Sequence, residues 1–281
     1  MLQEIEPKRL FNEYRHQEPL DTDYVVMVHG TKVAGKVTDN EMELPRVSML
    51  TKDRVKLIYL LSVDEQGYFY LPYEEEHPIL EEYPLTDRMF FREKQPKDVS
   101  FAATVGFHIG AWYETNRFCG CCGSAFEHSK TERAMVCPKC HNTKYPQISP
   151  AVIVGIINKD KILLSKYVAG NTKRYSLIAG YCEAGETVEQ TIEREVMEET
   201  GLRVKNPKYF TSQPWPFTST LLMGFFVELD GDDSVSLDDR ELSEATWFDR
   251  EHLPKTESTL SMTWTMIEYF RNHRKLDVVG E

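Results

Sequence analysis

One stretch of the sequence has helical periodicity but carries acidic side chains on the side that should be apolar. At about 100° per residue, Glu195 and Glu199 fall on the face that Val188 and Ile192 direct toward a core, and Glu198 lies beside it. Carboxylates buried in a core destabilise the fold unless they are paired or bind a cation. Carboxylate oxygens gathered on one face suit Mg²⁺ or Mn²⁺. The pattern therefore indicates a divalent-cation site.

The neighbouring charges divide this helix into a solvated side and a site. A solvated acidic face, the usual explanation of a charge run, accounts for Glu189 and Glu193, because both lie opposite the predicted site. Arg194 is the one basic residue among residues 180–202. We expect it to pair with Glu186 and so to hold the loop that precedes the helix.

Four cysteines form two C-x-x-C pairs, Cys119 with Cys122 and Cys137 with Cys140, separated by the 14 residues 123–136. Two residues between cysteines let the backbone turn so that both thiolates face one ion, and zinc takes four such ligands at about 2.3 Å. A redox C-x-x-C is the alternative, but two matched pairs favour a zinc ribbon. Four protein ligands close the coordination sphere, so we expect one structural zinc ion per chain.

These residues need elements to position them, and the sequence predicts an α+β protein in three parts. An N-terminal α+β domain spans 1–115, a zinc ribbon 116–148 and a further domain 149–281. The last part contains a strand with a continuous run of β-branched residues. It also contains the acidic helix, residues 186–200.

Three further predictions concern the element boundaries. Ser100 is expected to begin a helix, residues 211–217 form a proline-rich loop after a strand, and residues 259–274 form a closing helix.

The composition limits the class of protein. The chain has 281 residues, 33 basic and 45 acidic, and a formal charge of −12, which argues against a general nucleic-acid or membrane-surface binder. Residues 180–202 hold seven acids and one base, and residues 228–244 hold eight acids and one base. The rest of the chain carries almost no net charge, so the acidity of the whole chain does not exclude binding of an RNA 5′ end. Because no apolar run reaches about 20 residues and the N-terminus lacks signal-peptide features, we expect a cytoplasmic protein with no membrane partner.

The acidic helix and its flanks match a longer pattern, G-x5-E-x7-R-E-U-x-E-E-x-G-U, in which U is apolar. This resembles a complete Nudix box, the signature of Nudix hydrolases. The resemblance implies an α/β/α sandwich fold that binds Mg²⁺ or Mn²⁺ and cleaves a diphosphate linked to another moiety. The matching residues are Gly180, Glu186, Arg194, Glu195, Val196, Glu198, Glu199, Gly201 and Leu202.

The segment 212–217, Ser-Gln-Pro-Trp-Pro-Phe, narrows the substrate. Taken alone it is either a rigid surface turn or an exposed aromatic platform on which Trp215 and Phe217 stack bases. It also resembles the hallmark of the NAD(H) pyrophosphatase subgroup, which carries a zinc ribbon before its Nudix domain. The chain departs from that subgroup at residues 218–220, Thr-Ser-Thr, and at Thr263, where the subgroup has alanine.

The resemblance also assigns roles by position. Metal is expected on Glu195, Glu198 and Glu199, on the Ala179 carbonyl and on a late glutamate, either Glu241 or its rival Glu244. Glu199 or Glu241 then acts as the catalytic base, with Glu198 nearby. The nicotinamide lies between Tyr181 and the partner subunit's Tyr145, which implies a homodimer. The predicted substrate contacts are Glu132, Tyr145, Tyr181, Gln213, Trp215, Phe217, Ser219, Thr220 and Thr263.

The predicted reaction is metal-dependent hydrolysis of NADH or NAD⁺ to nicotinamide mononucleotide and AMP. Three alternatives stay open at this point. The same site removes an NAD cap from RNA, or it cleaves another substrate such as ADP-ribose or a diadenosine polyphosphate. The non-enzyme alternative is a ligand-sensing regulator that binds nucleic acid, although such proteins usually lose box carboxylates and this chain keeps all of them.

Overall fold

The computed structural model describes residues 1–50, 53–168, 174–237, 240–255, 258 and 260–274. The chain divides into two compact units. One contains Leu2–Gln147 and Pro216–Ser219, and the other contains Met1, Ile148–Trp215 and Thr220–Glu281. The three-part division drawn from the sequence stays a prediction.

The first unit combines a mixed sheet, a long helix and a small ribbon. Its sheet has the order β1-β6-β7-β2-β3-β8, with β4 paired to β5 beside it. The strands are β1 (Leu10–Phe11), β2 (Tyr24–His29), β3 (Lys32–Ala34), β4 (Lys36–Val37), β5 (Met42–Glu43), β6 (Ile58–Val63), β7 (Gln66–Leu71) and β8 (Leu85–Asp87). The helices are α1 (Ile79–Glu82) and α2 (Lys97–Thr115), of which α2 packs on β2, β6 and β7.

The ribbon is an antiparallel sheet of very short strands, β9 (Glu127–His128), β10 (Met135–Val136) and β11 (Thr143–Lys144), in the order β11-β10-β9. Its buried apolar side chains are few; among residues 118–147 they are Phe126, Ala134 and Met135, besides two cysteines. So small a core needs a further cross-link to hold its fold.

The second unit is built on a sheet of order β15-β16-β12-β13-β17, with β14 paired to β12. The strands are β12 (Ser149–Asn158), β13 (Lys161–Tyr167), β14 (Ile178–Tyr181), β15 (Val204–Trp215), β16 (Thr220–Leu229) and β17 (Leu242–Asp249). Strand β12 is parallel to β16 and antiparallel to β13 and β14.

A helix covers each face of this sheet. Val152 and Val154 of β12 pack in one cluster with residues of α3 (Val188–Thr200), whereas Ile153 and Ile157 pack in a second cluster with residues of α4 (Met262–Asn272). Successive side chains of a strand point to opposite faces, so a continuous apolar strand has to be covered on both. The α/β/α sandwich and the mixed α+β class predicted above are confirmed.

Several boundaries differ from those predicted from the sequence. The helix predicted to begin at Ser100 begins at Lys97, after Pro96, whose fixed φ suits a helix start. The closing helix is shorter than predicted, Met262–Asn272. The predicted loop 211–217 is mostly strand, because β15 runs to Trp215. Pro214 is tolerated there because β15 is the edge strand and pairs only with β16.

Within the described part of the chain, no helix has the length and apolarity needed to cross a lipid bilayer.

Candidate active site

The start of helix α3 is fixed by its own side chains. The Thr187 hydroxyl accepts from the Gln190 backbone N–H at 3.3 Å, and the Gln190 side-chain oxygen accepts from the Thr187 N–H at 2.9 Å. This capping box satisfies two donors that the first turn leaves without partners. At the other end Gly201 has φ 70°, the left-handed conformation that ends a helix. The capping box sets the first residue of α3 at Val188, two residues after the start of the range 186–200 predicted from the sequence.

Arg194 ties this helix to the preceding loop, as predicted. Its Nε and Nη2 donate to the two carboxylate oxygens of Glu186 at 2.6 and 2.9 Å, and Nη2 also donates to the Tyr181 carbonyl at 2.9 Å. Glu186 accepts further bonds from the Glu183 N–H and the Thr191 hydroxyl. The Arg194 pairing, with these bonds, lowers the pKa of Glu186 to about 2.

We expect the Glu186–Arg194 pair to make stability depend on pH. The folded pKa of Glu186 is about 2 and the ordinary value is 4.5, so the pair stabilises the fold above about pH 4.5 and less as the pH falls toward 2. The thermal midpoint of Glu186→Gln should therefore lie below that of the wild type at pH 7, and the difference should shrink below pH 4.5. Glu193→Gln, on the exposed side of the same helix, is the control. A difference that stays constant with pH contradicts this account.

The three box glutamates differ in exposure. The side chain of Glu198 is 59% exposed and that of Glu195 12% exposed, whereas Glu199 is 2% exposed. Arg194 Nη1 donates to Glu195 at 2.8 Å and to Glu198 at 3.0 Å. Burial raises the pKa of Glu195, Arg194 opposes this, and the charges of Glu198 and Glu241 raise it further. A cation bound beside Glu195 would relieve that repulsion.

Strand β14 brings its glycine against the Glu195 carboxylate. Gly180 pairs in register with Val152 of the central strand, and a Cβ at this position would overlap the carboxyl atoms of Glu195. The adjacent carbonyl belongs to Ala179, which pairs with Ile153. The box glycine is therefore required because a side chain would occupy the space that the carboxylate takes.

Substituting Gly180 by alanine should displace Glu195. We expect the affinity for Mn²⁺, measured by calorimetry, to fall by at least about tenfold, the lower range seen when groups that orient metal ligands are lost. The far-UV circular dichroism should stay unchanged. Gly120→Ala is the control, since a Cβ there meets nothing within 4 Å. Unchanged Mn²⁺ affinity in Gly180→Ala would show that Glu195 does not bind the ion.

The two candidate late glutamates lie in different surroundings. The carboxylate of Glu244 accepts from Lys166 Nζ at 2.7 Å and from the Tyr175 hydroxyl at 2.8 Å. The Glu241 carbonyl accepts from the Val168 N–H at 2.9 Å. The negative charge of Glu241 is among those that raise the pKa of Glu195.

Sequence reasoning missed the residues of β13 that line this region. Burial and then the charge of Glu199 raise the pKa of the Tyr167 hydroxyl, with Glu195 and Glu241 contributing. Tyr167 lies at a register shift between β13 and β17. No local pattern distinguishes Tyr167 or Lys166 from ordinary strand residues, because their role depends on the pairing of two strands distant in sequence.

The cysteines converge as a zinc ribbon requires. The sulfur atoms of all four lie within 4.8 Å of one another, with 3.5 Å between Cys119 and Cys140 and 3.5 Å between Cys122 and Cys137. The Cys121 N–H and the Asn142 side chain point to the Cys119 sulfur, as they would to a thiolate ligand. Within the described ranges, this is the only set of three or more such ligands that lie so close together. The box carboxylates are farther apart than that limit.

Residues 212–217 are more buried than the exposed aromatic platform predicted from the sequence, so that prediction is wrong for most of the segment. Gln213 is fully buried; its amide donates to the Leu260 carbonyl at 2.8 Å and accepts from the Met262 N–H at 2.9 Å. Phe217 is 2% exposed and Trp215 is half-buried. The bond from Met262 satisfies an N–H that the first turn of α4 leaves without an intrahelical partner, so the buried Gln213 amide caps this helix. Of the predicted aromatic platform, therefore, only Trp215 is open to a ligand.

The other predicted substrate contacts form two local pairs. The exposed Tyr181 ring lies on β14, and its hydroxyl is 3.2 Å from that of Thr220. In the ribbon, the exposed Tyr145 donates its hydroxyl to Glu132 at 3.0 Å. Ser219 has φ 56°, and Thr263 is half-buried in the first turn of α4.

Two protein-family models match the parts of the chain that contain the acidic helix and the four cysteines. Residues 147–267 match the family model described as NUDIX domain. The chain contains a Nudix domain. Residues 114–145, before the Nudix domain, match the NADH pyrophosphatase zinc ribbon domain, and this range contains the four converging cysteines.

Relatives of known name cover the same part of the chain. The chain is 46% identical over 149 residues to the NAD-capped RNA hydrolase NudC of Enterobacter sp. (strain 638), which is 53% of this chain and 57% of that protein. NudC of Salmonella schwarzengrund (strain CVM19633) is also 46% identical, over 58% of its length. The matched region thus spans under two thirds of these relatives. A solved NUDIX hydrolase from Nitrosomonas europaea is 24% identical, with a TM-score of 0.49, over 56% of this chain and 91% of its own.

Proposed function

We propose that the protein hydrolyses the diphosphate of NADH or NAD⁺ to nicotinamide mononucleotide and AMP. The observation that carries the proposal is the position of the Glu195 carboxylate against Gly180 of β14, on the same helix face as the buried Glu199, in a Nudix domain that follows an NADH pyrophosphatase zinc ribbon. Buried carboxylates on one helix face are costly without a cation, so their donor chemistry suits Mg²⁺ or Mn²⁺.

The proposed roles follow from the surroundings of each residue. Glu195, Glu199 and Glu241, with the Ala179 carbonyl, hold the divalent cation, and the exposed Glu198 supplements them. When bound, the cation offsets diphosphate charge and makes water a better nucleophile. Glu199 or Glu241 accepts the proton from the attacking water. Arg194 holds the loop and Glu195 in place, and the exposed Tyr181 ring stacks on the nicotinamide.

Between the late glutamates, we propose Glu241, because Lys166 and Tyr175 already occupy the carboxylate of Glu244. Glu241→Gln should lower the Mn²⁺-dependent turnover of NADH by at least about tenfold and raise the Mn²⁺ concentration needed for half activity. Glu244→Gln should change the Mn²⁺ requirement less. The opposite order would assign the ligand role to Glu244.

The protein acts as a homodimer in which the partner subunit's Tyr145, held by a bond to Glu132 within its ribbon, completes the nicotinamide site. It works in the cytoplasm, where a reducing medium keeps the zinc thiolates available. Removal of an NAD cap from RNA is a second candidate activity, favoured by the similarity to the NudC relatives, which are NAD-capped RNA hydrolases. The same similarity favours a hydrolase over the ligand-sensing regulator.

The decisive experiment is a turnover assay with NADH, NAD⁺, ADP-ribose and NAD-capped RNA at equal concentrations in Mn²⁺, with identification of the products. Nicotinamide mononucleotide and AMP are expected from NADH. Cleavage of ADP-ribose alone would assign a different Nudix specificity, and no cleavage of any of them would refute the proposed activity.

A further inference from the structure

The first unit contains a cavity that the proposed hydrolysis does not use. Its volume is about 580 Å³, within the range of small-molecule sites. The cavity lies where the end of α2 leads into the ribbon. Its first side is formed by the end of β2 and by β7 with the residues after it. Residues 113–118 form the second side and residues 125–135 the third. All of these belong to one compact unit.

The walls of the cavity are largely aromatic. Tyr70 and Tyr113 form one side and the ribbon's Phe126 another, and these three rings are at least nine-tenths buried. Phe118, at the mouth, is 64% exposed, which is unusual for a ring of this size. Rings that face a cavity and a ring left open beside it form surfaces on which a planar base can stack.

The two acidic side chains that line the cavity already have partners within the protein, whereas one basic side chain, that of Arg117, stays available to a ligand. The Glu114 carboxylate is 2.9 Å from His29 Nδ1 and accepts from the Gly30 N–H at 3.1 Å, and Glu74 is paired with Lys56 at 2.6 Å. Arg117 also lines the cavity, and no other described residue forms a side-chain hydrogen bond or ion pair with its guanidinium. The positive charge of Arg117 acts on the wall of the cavity. Burial raises the pKa of the Tyr70 hydroxyl, and the Arg117 charge opposes this rise. A guanidinium in this state suits a phosphate, which it binds through two parallel hydrogen bonds.

We propose that this cavity is a second nucleotide site, which takes a purine nucleoside monophosphate with the base among the tyrosine and phenylalanine rings and the phosphate on Arg117. The choice of adenylate as the occupant rests on the proposed function, because AMP is one product of that hydrolysis. The site lies outside the Nudix domain, so it binds the product without taking part in the chemistry.

The test is photolabelling of the zinc-loaded, full-length protein with 8-azido-AMP, followed by peptide mapping. Label is expected on peptides that contain Tyr70 or Phe118, and unlabelled AMP should compete better than adenosine or inorganic phosphate. Arg117→Ala should lower this label by at least about tenfold, and Arg117→Lys should lower it less, because the charge remains but the two-pronged geometry is lost. Arg9→Ala, an exposed arginine of the same unit outside the cavity, should label like the wild type.

Two results would overturn the inference. One is label confined to peptides that contain Tyr181 or Trp215, which would show that AMP binds only at the proposed hydrolytic site. The other is equal labelling of the wild type and Arg117→Ala. NADH turnover, measured on the same preparations, scores the proposed function separately: Arg117-dependent labelling without turnover would refute the hydrolysis and retain the nucleotide site.

Discussion

Replacing Glu199 by glutamine should lower Mn²⁺-dependent NADH turnover by at least about a hundredfold, the upper range for groups that only support a ligand. Glu199 is 2% exposed, so its charge is costly in the folded protein unless it is paired or a cation lies beside it. Glutamine has the same shape but no charge. Because Glu199 lies four residues from Glu195 on one helix face, the substitution removes repulsion between like charges, and the thermal midpoint in the absence of divalent cation should stay the same or rise. A loss of activity without a loss of stability is the result that a ligand or base predicts.

The matched control for this experiment is Glu193→Gln, the same change on the exposed side of the same helix. It should keep the turnover and the Mn²⁺ dependence of the wild type. If Glu199→Gln keeps full activity, the carboxylate is neither ligand nor base, and the roles assigned to the box glutamates are wrong.

Replacing Cys137 by serine should abolish zinc binding and unfold the ribbon. Structural zinc contributes about 10–16 kcal/mol to the folding of small zinc domains at pH 7. The ribbon has little else, since its buried apolar side chains are Phe126, Ala134 and Met135 among residues 118–147, besides cysteines. We expect the zinc content to fall from about one ion per chain to nearly none. Amide hydrogen exchange across residues 119–147 should become fast, while exchange in the Nudix sheet stays slow.

Cys121→Ser is the control for the zinc experiment. Cys121 lies between two of the ligands, but it is exposed and is not one of the four converging cysteines. It should keep one zinc ion per chain and the slow exchange of the ribbon. A Cys137→Ser protein that retains zinc, or loses zinc without faster exchange, would contradict a structural role for the ion.

The features that could be read from the sequence are those in which the functional atoms lie close together along the chain. Two C-x-x-C pairs predict a zinc ribbon because each knuckle is a local turn. The acidic face of α3 was predicted correctly because helical geometry alone places residues three and four apart on one side. The pairing of Arg194 with Glu186 followed for the same reason, since one helix and its adjoining loop contain both.

Other features depended on which strands pair and in which register. The sequence pattern predicts an exposed loop at residues 211–217. The edge pairing of β15 with β16 instead makes most of this segment a strand, in which Gln213 is a buried cap of α4. The surroundings of Glu244 also depend on strand pairing, because the pairing of β13 with β17 places Lys166 beside Glu244.

By itself, therefore, the sequence determined the two matched cysteine pairs and the acidic face of the box helix, since local geometry specifies both. Only the tertiary structure decided why Gly180 must lack a side chain, that Lys166 and Tyr175 bond the Glu244 carboxylate, and that aromatic rings and Arg117 line a cavity beside the ribbon. These features join segments tens of residues apart. Their contacts depend on strand register and packing, which no short spacing in the chain encodes.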